Sequence, residues 1–71
     1  MRVLLVEDSV SLQRSVSQCL REAGYAVDAV GDGAQGLLHA LTTEYDVIVL
    51  DLMLPTLDGR GAILRALLAP Q

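Results

Sequence analysis

Two runs in this chain are apolar at every position and end in acid: Val3-Leu4-Leu5-Val6 before Glu7-Asp8, and Val47-Ile48-Val49-Leu50 before Asp51. An amphipathic helix would break such a run with polar residues, and a strand with one wet face would alternate. A short unbroken apolar run instead specifies a strand covered on both faces, the situation found in parallel sheets with helices on either side. The rest of the chain changes period to match. Across residues 10–23, Leu12, Val16, Cys19, Leu20 and Ala23 recur at helical spacing, with Ser9 as N-cap and Gly24 where a helix should end. Residues 25–30 read as a second strand, nearer an edge because Asp28 interrupts it. Gly31-Asp32-Gly33 turns the chain into a second helix carrying Ala34, Leu37, Leu38 and Leu41 on one face. Residues 52–58 contain Pro55 and read as a loop, and Gly59 opens a third helix running to about Ala69, before Pro70.

Strand and helix thus alternate three times with short connections. This predicts one α/β domain over residues 1–71, with a parallel sheet and right-handed crossovers. The first and third strands are the most apolar and belong innermost, giving the order 2-1-3 of a flavodoxin-like sheet. The third strand is then left with an unpaired edge, and the third helix is apolar around much of its circumference. Sheet edges are normally covered, so the sequence predicts a homodimer built through the edge of the third strand and the third helix.

Composition narrows the function. The chain has five basic residues, all arginine, against nine acids, a net charge of −4. Scattered arginines on an acidic domain argue against nucleic-acid binding, which needs a concentrated basic patch. The N-terminal apolar run is too short for a signal peptide or a membrane span. A single cysteine cannot close an internal disulfide, no Cys/His cluster suggests zinc, and a free thiol without an export signal fits the cytoplasm. A chain this short buries only about 60% of the surface it exposes when unfolded, a second reason to expect association.

In open parallel sheets, ligands bind beyond the C-terminal strand ends where the winding reverses, here between the first and third strands. Glu7 and Asp8 leave one strand at that point and Asp51 leaves the other. Converging carboxylates repel unless a cation joins them. A hard divalent ion such as Mg2+ suits oxygen ligands and keeps several waters, leaving room for a phosphoryl oxygen. Asp51 would then act as a nucleophile towards phosphorus.

Leu4-Leu5-Val6-Glu7-Asp8-Ser9, Gly24-Tyr25-Ala26-Val27, Asp32-Gly33 and the stretch from Tyr45 through Pro55 to Asp58-Gly59 closely resemble bacterial response-regulator receivers. The texture is most similar to the branch that carries a winged-helix DNA-binding output domain. The resemblance implies that Asp51 is the phospho-acceptor, charged from the phosphohistidine of a sensor histidine kinase. It implies that Glu7 and Asp8 are the acidic pair and that Asp8 and Asp51 hold Mg2+. It also implies that the backbone carbonyl of Met53 completes the protein ligands, and that Pro55 and Asp58-Gly59 shape the loop. Such a chain accepts a phosphoryl group in a relay that regulates transcription and is not an enzyme in the usual sense. The family's mechanism also uses a hydroxyl residue after its fourth strand and a lysine after its fifth. This chain contains no lysine and ends before those strands, so the resemblance implies a half-built site that phosphorylates poorly. Arginine, a planar fork, is a poor stand-in for a compact ammonium.

Other readings compete. Gly31-Asp32-Gly33-Ala34-Gln35-Gly36 fits the G-x-G-x-x-G dinucleotide fingerprint, but it follows an outer strand and leaves Glu7-Asp8 unexplained. A dehalogenase-type phosphatase needs a second acid two residues after the nucleophile, where Met53 stands. A structural module that only self-associates is the runner-up. His39 lacks an activating partner for a phosphocarrier role. Cys19 and the leucines of the helices read as core, and Tyr25 and Tyr45 as packing at the lower edge of the sheet.

Overall fold

The computed structural model describes residues 1–55, 57–59 and 61–69. In chain order the elements are β1 (Arg2–Glu7), α1 (Val10–Glu22), β2 (Ala26–Val30), α2 (Gly33–Thr42), β3 (Val47–Pro55) and β4 (Gly61–Leu68). They build one sheet in the order β2-β1-β3-β4. β1 runs parallel to both of its neighbours, pairing Val3 with Val27 and with Val47. The α/β class and the 2-1-3 order are as the apolar runs predict.

Val3, Leu4, Leu5 and Val6 are all buried, so β1 is covered on both faces. Because β2 and β3 lie on opposite sides of β1, right-handed crossovers carry α1 and α2 to opposite faces of the sheet. Leu4 and Val6 join Val30 and Tyr45 in the main cluster, with Ile48, Leu50 and Leu52 packed against it. α2 sits directly over Val6, reached through the bare backbone of Gly36. Local chemistry fixes the helix ends. The Ser9 hydroxyl accepts from the Leu12 N–H at 3.4 Å, and the Asp32 carboxylate from the Gln35 N–H at 2.7 Å. Gly24 stops α1 in the left-handed region at φ +97°. Its N–H bonds to the Arg21 carbonyl and that of Tyr25 to the Leu20 carbonyl, the paired bonds of a Schellman end.

The third helix expected from Gly59 to about Ala69 is not formed. Gly61–Leu68 is a strand, antiparallel to β3 from Ile48↔Leu68 to Pro55↔Gly61. β3 itself continues to Pro55, through much of the segment that reads as a loop. The physical reason is the free edge of β3, whose N–H and C=O groups need partners. An adjacent segment that folds back supplies a complete ladder, and this outweighs the few tenths of a kcal/mol per residue by which Ala and Leu favour helix (roughly). Gly59, at φ +81°, belongs to the reversal. Thr56 within the expected loop and Pro70 beyond the expected helix lie outside the described residues.

Three further expectations change with it. The homodimer through the β3 edge and a third helix is overturned, since β4 occupies that edge and no such helix exists among the described residues. The leucines of α2 are not core: Leu37, Leu38 and Leu41 are 61%, 60% and 76% exposed. Cys19 is exposed rather than buried. In the last two cases the helix touches the sheet along a narrower line than its apolar face, and no described element covers the remainder. Of the two tyrosines, Tyr45 is buried and donates its hydroxyl to Asp28 at 2.5 Å, while Tyr25 is partly exposed. That hydroxyl, aided by Arg2 at 3.1 Å, holds the Asp28 carboxyl below its ordinary value, while burial pushes the Tyr45 phenol up.

An alanine Cβ at position 36 would lie 2.7 Å from Val6 Cγ2, a stiff, buried, β-branched side chain. Replacing Gly by Ala within an open helix normally stabilises by about 0.5–1 kcal/mol. Here Gly36→Ala is expected to destabilise, because overpacking costs about 1–3 kcal/mol. In a Val6→Ala background the same change should recover its usual stabilising sign. Urea denaturation of the four proteins measures both effects.

Candidate functional site

The parallel register sets Glu7 directly opposite Asp51 at the C-terminal ends of β1 and β3. Glu7 is 4% exposed. Its Oε1 accepts the Ser9 N–H at 2.9 Å, and its carbonyl accepts from the Gln13 side chain at 3.3 Å. Burial raises the Glu7 carboxyl above the ordinary glutamate range. A hydrogen bond with Asp51 and the charges of Asp51 and Asp8 push the same way, while the Ser9 N–H opposes them. Both effects favour a proton on Glu7 more than an ordinary glutamate would.

Asp8, one residue on, points the other way and is exposed. Its Oδ2 accepts the Met53 N–H at 2.8 Å and so ties the end of β1 to β3 across the sheet. At Met53 the observed bond is made by the N–H, while the role expected from the sequence falls to the carbonyl of the same residue. The Met53 side chain is exposed and lies against Gly61.

Asp51 has a partner that the sequence reading missed. Asp51 and Arg65 are opposed in the β3–β4 register, and Arg65 Nε donates to Asp51 Oδ1 at 3.3 Å. Arg65 lies in the segment read as a helix, where it would have no defined relation to Asp51. Only a strand reading of residues 61–68 brings the two together. Val49, Leu50, Asp51, Arg65, Ala66 and Leu67 line an open hollow of about 300 Å³ at this point.

Glu7, Asp8, Asp51 and the Met53 carbonyl offer only oxygen donors, the chemistry that suits Mg2+. Among the described residues no three His, Cys, Asp or Glu side chains are grouped closely enough to hold a metal ion between them. Asp8 is drawn to the Met53 N–H and Asp51 to Arg65. The set fits an ion that keeps most of its waters rather than one enclosed by protein. The glycines of the dinucleotide-like fingerprint find another use: Gly36 is small because Val6 lies beneath it, and β2, which precedes them, is an edge strand. The His39 ring bonds within its own helix, to the Gln35 carbonyl at 2.9 Å.

Comparison with known proteins points to one family. Residues 3–67 match the response regulator receiver domain. Transcriptional regulatory protein HprR of Escherichia coli strain K12 is 52% identical over 59 residues, 83% of this chain and 26% of that protein. Transcriptional regulatory protein DltR of Streptococcus agalactiae is 42% identical over 65 residues, 92% of this chain and 29% of that protein. Transcriptional activator protein IrlR of Burkholderia pseudomallei is 49% identical over 59 residues, again 83% of this chain and 26% of that protein. The chain thus spans between a quarter and a third of the length of these relatives. No solved structure matches it.

The raised Glu7 carboxyl carries a signed pH dependence. A group whose folded pKa exceeds its unfolded value contributes stability that is fully present below the unfolded value and is lost as pH rises through the folded one. Glu7→Gln keeps a neutral group able to donate to Asp51. It should therefore be more stable than the parent at neutral pH, seen as a higher urea midpoint. The advantage should vanish below the ordinary glutamate range. Urea denaturation across the acid-to-neutral range, in the presence of a metal chelator, tests this.

Proposed function

Because the chain belongs to the response regulator receiver domain family, which it matches over residues 3–67, we propose that it accepts a phosphoryl group on Asp51 from the phosphohistidine of a sensor histidine kinase in the cytoplasm. The observation that carries this reading is the parallel register that sets Asp51 beside the buried Glu7 and near Asp8, which is anchored to Met53. In the transfer, an Asp51 carboxylate oxygen forms the new P–O bond as the P–N bond to the histidine breaks, and the imidazole nitrogen leaves with the bonding pair. Glu7, by hydrogen-bonding Asp51 from the buried side, orients the carboxylate. Asp8 reaches across the strand ends and keeps a second acid beside the nucleophile. Asp8, Asp51 and the Met53 carbonyl would hold Mg2+, with Glu7 behind them, and the ion when bound neutralises charge on the phosphoryl oxygens. The chain is an acceptor rather than a catalyst with turnover. In a longer protein like the relatives named above, the phosphorylated domain would govern transcription.

A second copy of the chain is a further proposed partner. With the β3 edge taken, the surface available to it is β4, which is at the edge of the sheet and exposes Ile63, Leu64, Leu67 and Leu68. An apolar edge strand of this kind is a template for pairing.

Incubation with acetyl phosphate and Mg2+ should add one phosphoryl group to a minor fraction of the parent chain, seen by intact mass, and none to Asp51→Asn. Equal labelling of Asp51→Asn would reject Asp51 as the acceptor. Light scattering should show a mass that rises with concentration in the parent and stays monomeric in Leu67→Lys. A parent that is monomeric at every concentration would reject the β4 interface.

A further inference from the structure

Apolar patterning normally fixes the register of a strand, because a slip of one residue turns its buried side chains towards solvent. Between β1 and β3 that restraint is weak. Val3-Leu4-Leu5-Val6 and Val47-Ile48-Val49-Leu50 are apolar at every position, and β1 is covered on both faces. Sliding one run past the other by a residue exchanges apolar for apolar. The site does not survive the same slip, which sends Asp51 to the opposite face of the sheet from Glu7. Some feature outside the core must hold the pairing.

We propose that the polar cluster at the far end of β1, formed by Arg2, Asp28, Tyr45 and Asp46, is a register lock that positions Glu7 against Asp51. The Arg2 N–H donates to Asp46 Oδ2 at 2.7 Å, and the Asp46 N–H donates to the Arg2 carbonyl at 2.9 Å. Both polar groups of the Arg2 backbone thus close on the residue immediately before β3. Towards the other neighbour, the Arg2 guanidinium reaches Asp28 of β2 at 3.1 Å and stands over the Tyr45 ring. The buried Tyr45 donates its hydroxyl to the same Asp28 oxygen at 2.5 Å, a bridge from the β3 side to β2 across β1. One residue of strand rise is about 3.3 Å, so a single slip of β3 takes the Asp46 bonds beyond hydrogen-bonding range. The Arg2–Asp28 pair is half exposed and adds little by itself. The restraint comes from the bonds that accept one alignment and no other.

At the site end, β1 and β3 are tied by the Asp8 carboxylate and the Met53 N–H. That tie is made by one of the site's own acids and is lost whenever Asp8 turns to a ligand. The lower cluster keeps the register while the upper tie is open. Its bearing on phosphoryl transfer rests on Asp51 being the acceptor, whereas the register itself does not.

The test compares the parent chain with Tyr45→Phe, Asp46→Ala, the two combined, and Val30→Ala, a core truncation that leaves the polar cluster in place. Register is read from NOEs between β1 and β3. The parent and Val30→Ala should show the Leu5–Val49 alignment alone. The combined variant should show a second set of β3 amide resonances with NOEs displaced along β1, its population rising about tenfold for each bond removed. Tyr45→Phe keeps the buried ring and Asp46 is at the surface, so each single variant reads the effect in a folded chain. The native alignment alone in all three lock variants, or the same second set in Val30→Ala, would overturn the lock. Labelling by acetyl phosphate separates this from the reading of Asp51. The labelled fraction should fall in step with the native alignment, and labelling that is unchanged while the register shifts would overturn the lock's service to the site. A parent that takes no label, with the register still shifting in the variants, would remove the acceptor reading and leave the lock standing.

Discussion

β1 is hydrogen-bonded along both edges, to β2 and β3, and buried on both faces from Val3 to Val6. A strand with no free side must have its backbone groups satisfied by parallel neighbours and its side chains covered by crossover helices. Most of the architecture follows from meeting that requirement. α2 approaches until only a glycine fits over Val6, and β2 and β3 are brought into register with β1 residue by residue. The same constraint makes the chemistry. A strand buried to its last residue delivers Glu7 into low-dielectric surroundings, where its carboxyl holds a proton more tightly than usual, and releases Asp8 into solvent one residue later.

The acids were legible in the sequence because their positions depend only on where strands end and on the parallel order, and both are written in four-residue apolar runs. The helix ends were legible for a related reason. Ser9, Gly24 and Asp32 act on backbone groups within a few residues of themselves. What could not be read was the fate of residues 61–68. Their Ala and Leu content favours helix weakly, whereas the demand that turns them into β4 comes from a partner, the edge of β3. Arg65 was missed with them, since its meaning depends on pairing rather than on neighbours in the chain. The exposed leucines of α2 were misread because an apolar face states what a helix can bury, and only the surrounding elements decide how much of it is buried.

Asp51 stands between two ladders of opposite sense. On its β1 side the parallel register brings acids, Glu7 and then Asp8. On its β4 side the antiparallel register brings a base. Asp51 thus lies opposite a buried acid whose carboxyl is raised and is paired with a solvent-facing cation, so its charge is compensated from one side only. A ligand entering the hollow meets the guanidinium and the carboxylate together.

The two ladders also differ in how far apart along the chain their partners lie. Arg65 is 14 residues from Asp51, whereas Asp8 is 45 from Met53. Hairpins close in about 1–10 μs, while pairing between distant segments must first pay for closing a long loop and is slower. Loop-closure entropy therefore favours pairing Asp51 with Arg65 in a local hairpin ahead of the contacts to β1. A carboxylate already paired in that way presents less repulsion to the acids of β1 as the sheet closes, the effect being modest because the pair is solvent-exposed.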